Sequence, residues 1–433
     1  MKHCPDYKKQ LSALLLIISF LFPLNFLHAQ TVRDIQNKIE QKDSEIQQLE
    51  KEIAAYQVQL DDLGKQKNSL SNSIKELDLI KKKLNADIAV TQNKIDKTNL
   101  KIQNLSSDIN TKENSINNNI NSIKLEIRKI NEFEQKSLVE TILSENNFTV
   151  IWNDVDNIVT LRERIRENIV KLQEVKSTLE DTKKSTIDAK TELTKLKTQL
   201  SDQQKIVVQN TNEKNKLLKQ TQNNEANYQK LLKERIAQRD AFEKELEAYE
   251  AQLQFIIDPS KLPSGRVLSW PLAKIFITQL FGKTVDSKRL YASGTHNGVD
   301  FRASMGTPVM AMADGKILGT GDTDLTCYGA SFGKFVFIQY NNGLSSTFGH
   351  LSLIKVKEGN QVKKGSIVGY SGNTGHSTGP HLHVSLYASQ AVKMASRASV
   401  ACGGRTYRLP TAPINAYLDV LAYLPPTVSS MFK

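Results

Sequence analysis

Five of the seven histidines in this 433-residue chain fall between residues 296 and 383. They occur as His296-Asn-Gly-Val-Asp300, then His350, His376 and His381-Leu-His383. Imidazole is the commonest metal ligand, and such a cluster with one carboxylate is what a catalytic zinc needs: three protein ligands and an open position for water. Alternate residues of a strand share a face, so His381 and His383 would project together while Leu382 turns into the packing behind them. If one extended segment runs from His296 through Val299-Asp300-Phe301, the same period puts His296 and Asp300 on one side. A tetrahedral ion could then be held by His296, Asp300 and one member of the later pair. His350 and the other member remain for general-base work and for stabilising the transition state. His376 sits in a loop signal, Gly375-His-Ser-Thr-Gly379, and reads as a groove-wall or solvent residue rather than a ligand. The glycines from Gly372 to Gly379 would let the backbone approach an extended peptide closely, or simply punctuate hairpins.

Around these residues lie further short motifs: Ile277-Thr-Gln-Leu-Phe-Gly282, Thr295-His-Asn-Gly-Val-Asp-Phe301, Gly306-Thr-Pro-Val309, Ala313-Asp-Gly-Lys316, Thr347-Phe-Gly-His-Leu351, Val362-Lys-Lys-Gly365, Gly369-Tyr-Ser-Gly-Asn-Thr-Gly375 and Gly379-Pro-His-Leu-His383. Together they make the stretch from about Ser269 to Tyr387 resemble the lysostaphin/LytM-type zinc endopeptidases, which cut peptide bridges of bacterial peptidoglycan. The resemblance implies that His296, Asp300 and His383 hold Zn2+. It also implies that His350 and His381 polarise the attacking water and the developing oxyanion. Two departures stand out. Val384-Ser385 replaces the aromatic and acidic pair frequent in the family, and about twenty-five extra residues follow Tyr387 before Pro413-Ile-Asn-Ala-Tyr417. Neither touches the five inferred residues, so the resemblance points to an active enzyme rather than to relatives that only activate other wall hydrolases.

The elements that must position this chemistry begin far upstream. Lys2, Lys8 and Lys9 precede an apolar run from Leu11 to Leu27, and Leu27-His-Ala29 offers a small residue for cleavage, the pattern of a secretory signal over residues 1–29. The run approaches the length of a membrane span, so an uncleaved anchor stays open, although Pro23 interrupts it. Cys4 precedes the run and is not placed like a lipoprotein cysteine. Export makes disulfides possible, and the mature chain would keep one pair, Cys327 and Cys402, expected to bridge.

From Thr31 to Asp258 there is no proline and a single glycine, Gly64, so nothing stops long helices. Apolar residues recur at steps of three and four, as in Ile46, Leu49, Ile53, Tyr56, Leu60 and Leu63, and again from Ile158 to Leu179. This is a heptad seam. It fails between about Asn131 and Asn157, where Phe133, Phe148, Ile151 and Trp152 cluster without heptad order. Two arms of about 100 residues each, at the helical rise roughly 150 Å long, would then fold back as an antiparallel hairpin. A parallel dimer of one rod is the rival. The polar seam from Gln209 to Asn227 suits an arm that bends or opens. Phe148, Ile151 and Trp152 at the tip are the candidate partner contact, because exposed aromatics on a rod need a reason; self-packing of the tip is the alternative.

The expected fold is therefore α + β and multidomain. A coiled-coil hairpin spans 31–258 with its tip near 131–157, a linker follows at 259–268, and a mainly antiparallel β domain of LytM type spans 269–425. Murein hydrolase activators, which the whole arrangement resembles, carry such a coil ahead of such a domain. That resemblance implies a role in wall remodelling or cell division, with a cell-division ABC transporter or a wall amidase as partner of the coil. Residues 31–263 carry 38 basic and 38 acidic side chains, whereas 264–433 carry 17 and 7, so the net charge of +12 resides mostly in the β domain. With export, that sign suits an anionic wall polymer or a membrane-proximal position rather than nucleic acid, with solubility alone as the alternative. A non-catalytic activator of an amidase and a structural envelope tether are the competing readings.

Overall fold

A computed structural model describes residues 24–63, 69–134, 148–253, 255–283 and 294–432. Four helices come first: α1 (Leu24–Leu63), α2 (Leu70–Glu134), α3 (Phe148–Thr221) and α4 (Glu225–Gln252). Residues 1–23, most of the segment expected to be a secretory signal, lie outside the described residues, and α1 starts within the rest of that segment. Among the described residues no helix is long and apolar enough to cross a membrane. The chain divides into two compact units, Met1–Gln48 with Ala89–Gln199, and Leu49–Ile88 with Leu200–Lys433.

In the first unit α2 and α3 run antiparallel. Asn168 Nδ2 donates to Glu126, Lys112 Nζ to Thr182 Oγ1, and Lys183 pairs with Glu113. The first arm, however, is not one rod of a hundred residues. Lys97 pairs with Asp43 and Lys42 donates to Asn93, so α1 lies antiparallel against α2 and the arm is folded on itself. A heptad pattern states that a helix has an apolar face and is silent on which helix covers it. At the tip, Phe148 and Ile151 begin α3 but their side chains, like residues 135–147, lie outside the described residues; Trp152 is exposed.

The second unit holds the base of the helices and all the strands. α3 ends where Gln222 and Asn223 turn left-handed, and the Asn224 side chain caps α4 by accepting from the Ala226 and Asn227 N–H groups. This break falls inside the polar stretch 209–227. Leu60, Ile80, Leu84 and Ile206 from the helix bases cluster with the buried Tyr370, whose hydroxyl donates to Asp202.

The strands are β1 (Ile277–Gln279), β2 (Val299–Arg302), β3 (Pro308–Met310), β4 (Gly315–Asp322), β5 (Lys334–Tyr340), β6 (Leu344–Gly349), β7 (Leu351–Ile354), β8 (Gln361–Val362), β9 (Ile367–Ser371), β10 (His381–Ala388), β11 (Lys393–Ala398), β12 (Thr406–Thr411) and β13 (Tyr417–Leu418). The main sheet is ordered β1-β2-β10-β6-β5-β4-β8, with β13 also on β10, and its pairs are antiparallel. β3-β9-β7 form a second sheet and β11-β12 a hairpin. Val299, Phe301, Phe348, Leu382, Val384 and Leu386 are fully buried between them, the inward half of each strand's alternation.

The extra residues after Tyr387 form the β11–β12 hairpin. It is tied to the body by a Cys327–Cys402 disulfide with Cα atoms 5.6 Å apart. Against that bridge and Tyr407 pack Phe242 and Leu246 of α4. Glu245 accepts from Ser399 Oγ and the Ala401 N–H, fixing the same helix to the disulfide loop.

Candidate metal centre

β10 runs down the middle of the main sheet and sets the geometry. His383 lies opposite Asp300 of β2 on one side and Gly349, the last residue of β6, on the other. Three elements therefore meet at one strand position, and His350 follows directly.

The route by which His296 arrives differs from a continuous strand. β2 begins only at Val299, and Asn297-Gly298 bends the chain before it. His296 is instead held by a two-way backbone bridge to Gly282. Gly298 permits the bend because a Cβ there would meet the Val384 carbonyl at 2.5 Å and the His383 ring at 2.6 Å. His296 and Asp300 do face one side, as expected, but without the continuous extended segment that expectation assumed; His381 and His383 share a strand and a face.

His296 Nε2, Asp300 Oδ1 and His383 Nδ1 converge. Their separations are 3.1 Å between the imidazoles, 2.9 Å from His383 to Asp300 and 3.3 Å from His296 to Asp300. All three residues are buried. The far nitrogens are held as well: His296 Nδ1 donates to the Leu280 carbonyl at 2.9 Å, which fixes its tautomer, and His383 Nε2 lies 2.8 Å from Ser385 Oγ, to which it donates when Nδ1 faces a cation. Two imidazole lone pairs and a carboxylate oxygen thus face one point, an arrangement that calls for a cation. A tetrahedral zinc with ligands about 2.0–2.1 Å away would separate them by about 3.3 Å, so the residues fit that ion with little movement.

The electrostatics agree. Burial would raise the Asp300 carboxyl, but the His381 and His296 rings hold it well below the usual range. His296 is lowered by burial yet ends raised, because Asp300 lies beside it. Burial lowers His383. His350 is pushed well below its ordinary value by burial and by the neighbouring His381 and His383, so it is neutral.

The two remaining motif histidines border the same place. His350 takes a left-handed backbone, φ +58°, a conformation costing on the order of 1–3 kcal/mol in a residue other than glycine. Its N–H donates to the Phe332 carbonyl and its Nδ1 to the Thr374 carbonyl at 2.7 Å, leaving Nε2 as acceptor. His381 Nδ1 is 2.8 Å from the Gly379 carbonyl, and its Nε2 is 3.6 Å from Asp300. The two rings are 4.6 Å apart.

A cavity of about 330 Å³ opens on these residues. One wall carries His296, His350 and His383; the facing wall is α4, through Glu243, Leu246, Glu247 and Glu250. Phe242 and Leu246 have the spacing of seam residues, and nothing in the sequence singles out these acids. Ser385 stands in the sequence only as a departure from the family; the strand period from His383 is the signal for its place beside that ring. The pair Cys327 and Cys402 lies apart, beneath α4, and Trp152 belongs to the other unit.

Residues 294–394 match peptidase family M23. Over 91 residues the chain is 47% identical to the glycyl-glycine endopeptidase ALE-1 of Staphylococcus capitis, covering 21% of this chain and 24% of that protein. It is 43% identical over 91 residues to the peptidoglycan DD-endopeptidase ShyA of Vibrio cholerae, covering 21% and 20%. Among solved structures, the catalytic domain of lysostaphin from Staphylococcus simulans aligns at 36% identity and a TM-score of 0.23, over 26% of this chain and 80% of that one. The match to peptidase family M23 is confined to residues 294–394, and the chain spans about a quarter or less of the length of those two curated relatives.

Proposed function

We propose that this chain is an exported, zinc-dependent endopeptidase that hydrolyses peptide crosslinks of peptidoglycan and is regulated by its helical region. The observation that carries the reading is the convergence of His296, Asp300 and His383 donor atoms within 3.3 Å of one another, beside two further oriented imidazoles. A zinc ion held there would act as a Lewis acid and bring the pKa of a bound water towards about 7.

The chain's own residues do the rest. Neutral His350, with Nδ1 committed to Thr374, offers Nε2 as acceptor for the proton released when water attacks the scissile carbonyl, and returns that proton to the amine nitrogen as the C–N bond breaks. His381, steadied by Gly379, faces the place where the carbonyl oxygen would gain charge. Ser385 and Leu280 hold the two ligating rings in their working tautomers. Phe332, 5.8 Å from the His383 ring, keeps an apolar surface beside the ligands.

The Cys327–Cys402 bridge supports an oxidising compartment such as the cell envelope. Trp152, exposed in the helical region, is in keeping with a partner there, of which a division transporter or a wall amidase are the kinds the family resemblance offers.

The test is release of peptides from purified sacculi. The full chain loaded with zinc, or a Phe242→Ala variant that loosens α4, should release them, and His350→Ala should lower the rate by about 10²–10⁴ with its zinc content unchanged. A protein that binds zinc and releases nothing in either form would contradict the proposal and favour a non-catalytic activator.

A further inference from the structure

The cavity contains a carboxylate already. Glu243 of α4 accepts from the Ser331 N–H at 2.6 Å and lies 3.6 Å from His376 Nδ1. Neither of these partners belongs to the helix. Both come from loops of the β domain that border the metal ligands, and both line the cavity together with His350, His383 and the cation Lys283.

This anion seat is built in advance. Ser331 adopts φ +51°, an unusual conformation for serine, and its carbonyl accepts the His376 N–H at 2.8 Å. The two loops approach so closely that a Cβ on Gly375 would meet the Ser331 carbonyl at 2.5 Å. Asp324 ties them by accepting from Gly329 and Gly375, at 2.7 and 3.0 Å. The seat thus owes its shape to β-domain loops, while its occupant comes from a single helix. If α4 moved away, the cavity would shed the carboxylates of Glu243, Glu247 and Glu250, and a half-buried N–H would lose its acceptor, a state that favours another anion.

We propose that the Ser331 N–H and the His376 ring form a subsite for a free carboxylate of the peptide substrate, and that Glu243 stands in that carboxylate's place. The inference rests on the peptidoglycan reading above and adds the substrate feature the site reads. Docking of α4 and binding of an acidic peptide are then mutually exclusive at this seat. An amidated peptide gains nothing from displacing Glu243.

The test uses the full zinc-loaded chain and two probes, a crosslinked muropeptide dimer with free carboxylates and the same dimer with all of them amidated. Calorimetric titration measures binding and chromatography measures cleavage. Glu243→Ala should bind the free-acid dimer about tenfold more tightly than the amidated one, a charge-assisted hydrogen bond's worth of discrimination. The wild type should show a smaller preference because its own carboxylate competes. Adding His376→Ala to Glu243→Ala should reduce the preference, and His376→Asn should restore part of it. Equal binding of both dimers by Glu243→Ala, or binding of neither, overturns the subsite. Preferential binding without cleavage leaves the subsite standing and removes the hydrolase reading; cleavage of both dimers at equal kcat/KM removes the subsite alone.

Discussion

The two walls of the cavity are held by different means. On one side, His383 and Asp300 sit in neighbouring strands of one antiparallel sheet, backed by Phe301, Leu382 and Val384, all fully buried. On the other, one helix is attached by the apolar side chains of Phe242 and Leu246, by carboxylates reaching loop N–H groups and the Tyr417 hydroxyl, and by cation–π contacts of Arg235 on Tyr328 and Arg397 on Tyr249. A ladder with a core behind it fixes ligands to within tenths of an ångström; a helix held by a few contacts opens at much smaller cost than global unfolding. The clustered metal-ligand side chains are on the sheet wall, and in the proposed reading the helix wall governs what reaches them.

The contrast breaks most sharply at Phe242. The ring is buried, packed edge-on to Tyr407 with centroids 5.0 Å apart. Phe242→Ala should cost about 3–5 kcal/mol, felt in the attachment of α4. Hydrogen exchange should speed up along α4 and leave β2 and β10 as protected as before. Equal loss of protection in both walls would show that they unfold as one.

A second difference is in pH response. Burial raises the Glu250 carboxyl to about 7, even though the Tyr417 hydroxyl and the Ala412 N–H bind its charged form, with Glu243 and Glu247 adding to the rise. The folded state therefore binds this proton more tightly than the unfolded chain. Its contribution is fully present below about pH 4.5 and is lost as pH rises through about 7, a swing of at most about 3 kcal/mol. Denaturant midpoints of the wild type should fall between pH 5 and 8, and Glu250→Gln should flatten the change. An unaltered slope in the variant would assign it elsewhere.

The smallest effect belongs to the rigid wall. Ser385→Ala removes the acceptor of His383 Nε2–H, so zinc affinity should fall by about 10- to 100-fold while hydrogen exchange in the sheet stays the same. Competition with a chromophoric chelator reads it directly, and unchanged affinity would leave Ser385 without that role.

What the sequence discloses follows the same division. His381-Leu-His383 is legible because a strand's period is fixed, and the rings do share a face towards Asp300. His296 reaches the site through a bridge to Gly282 rather than along a strand, which no local period encodes. The helices are legible from heptads and from the absence of proline. Their partners are not: α1 folds back on α2, and Phe242 and Leu246, spaced like seam residues, pack on the β domain instead. The polar stretch 209–227 did mark the place where α3 gives way to α4, through Asn223 and the Asn224 cap. Glu243 is hidden because one acid among many on a charged helix carries no signal until the donor it meets, the Ser331 N–H, is known.

The most direct measurement is zinc content and sacculus hydrolysis of Asp300→Ala beside the wild type. The wild type should hold one zinc per chain. Asp300→Ala should lose most of it, and activity should drop on the order of a thousandfold or more, with the fold intact by circular dichroism. A variant that keeps a full equivalent of zinc and its activity would show that His296, Asp300 and His383 are not the metal centre.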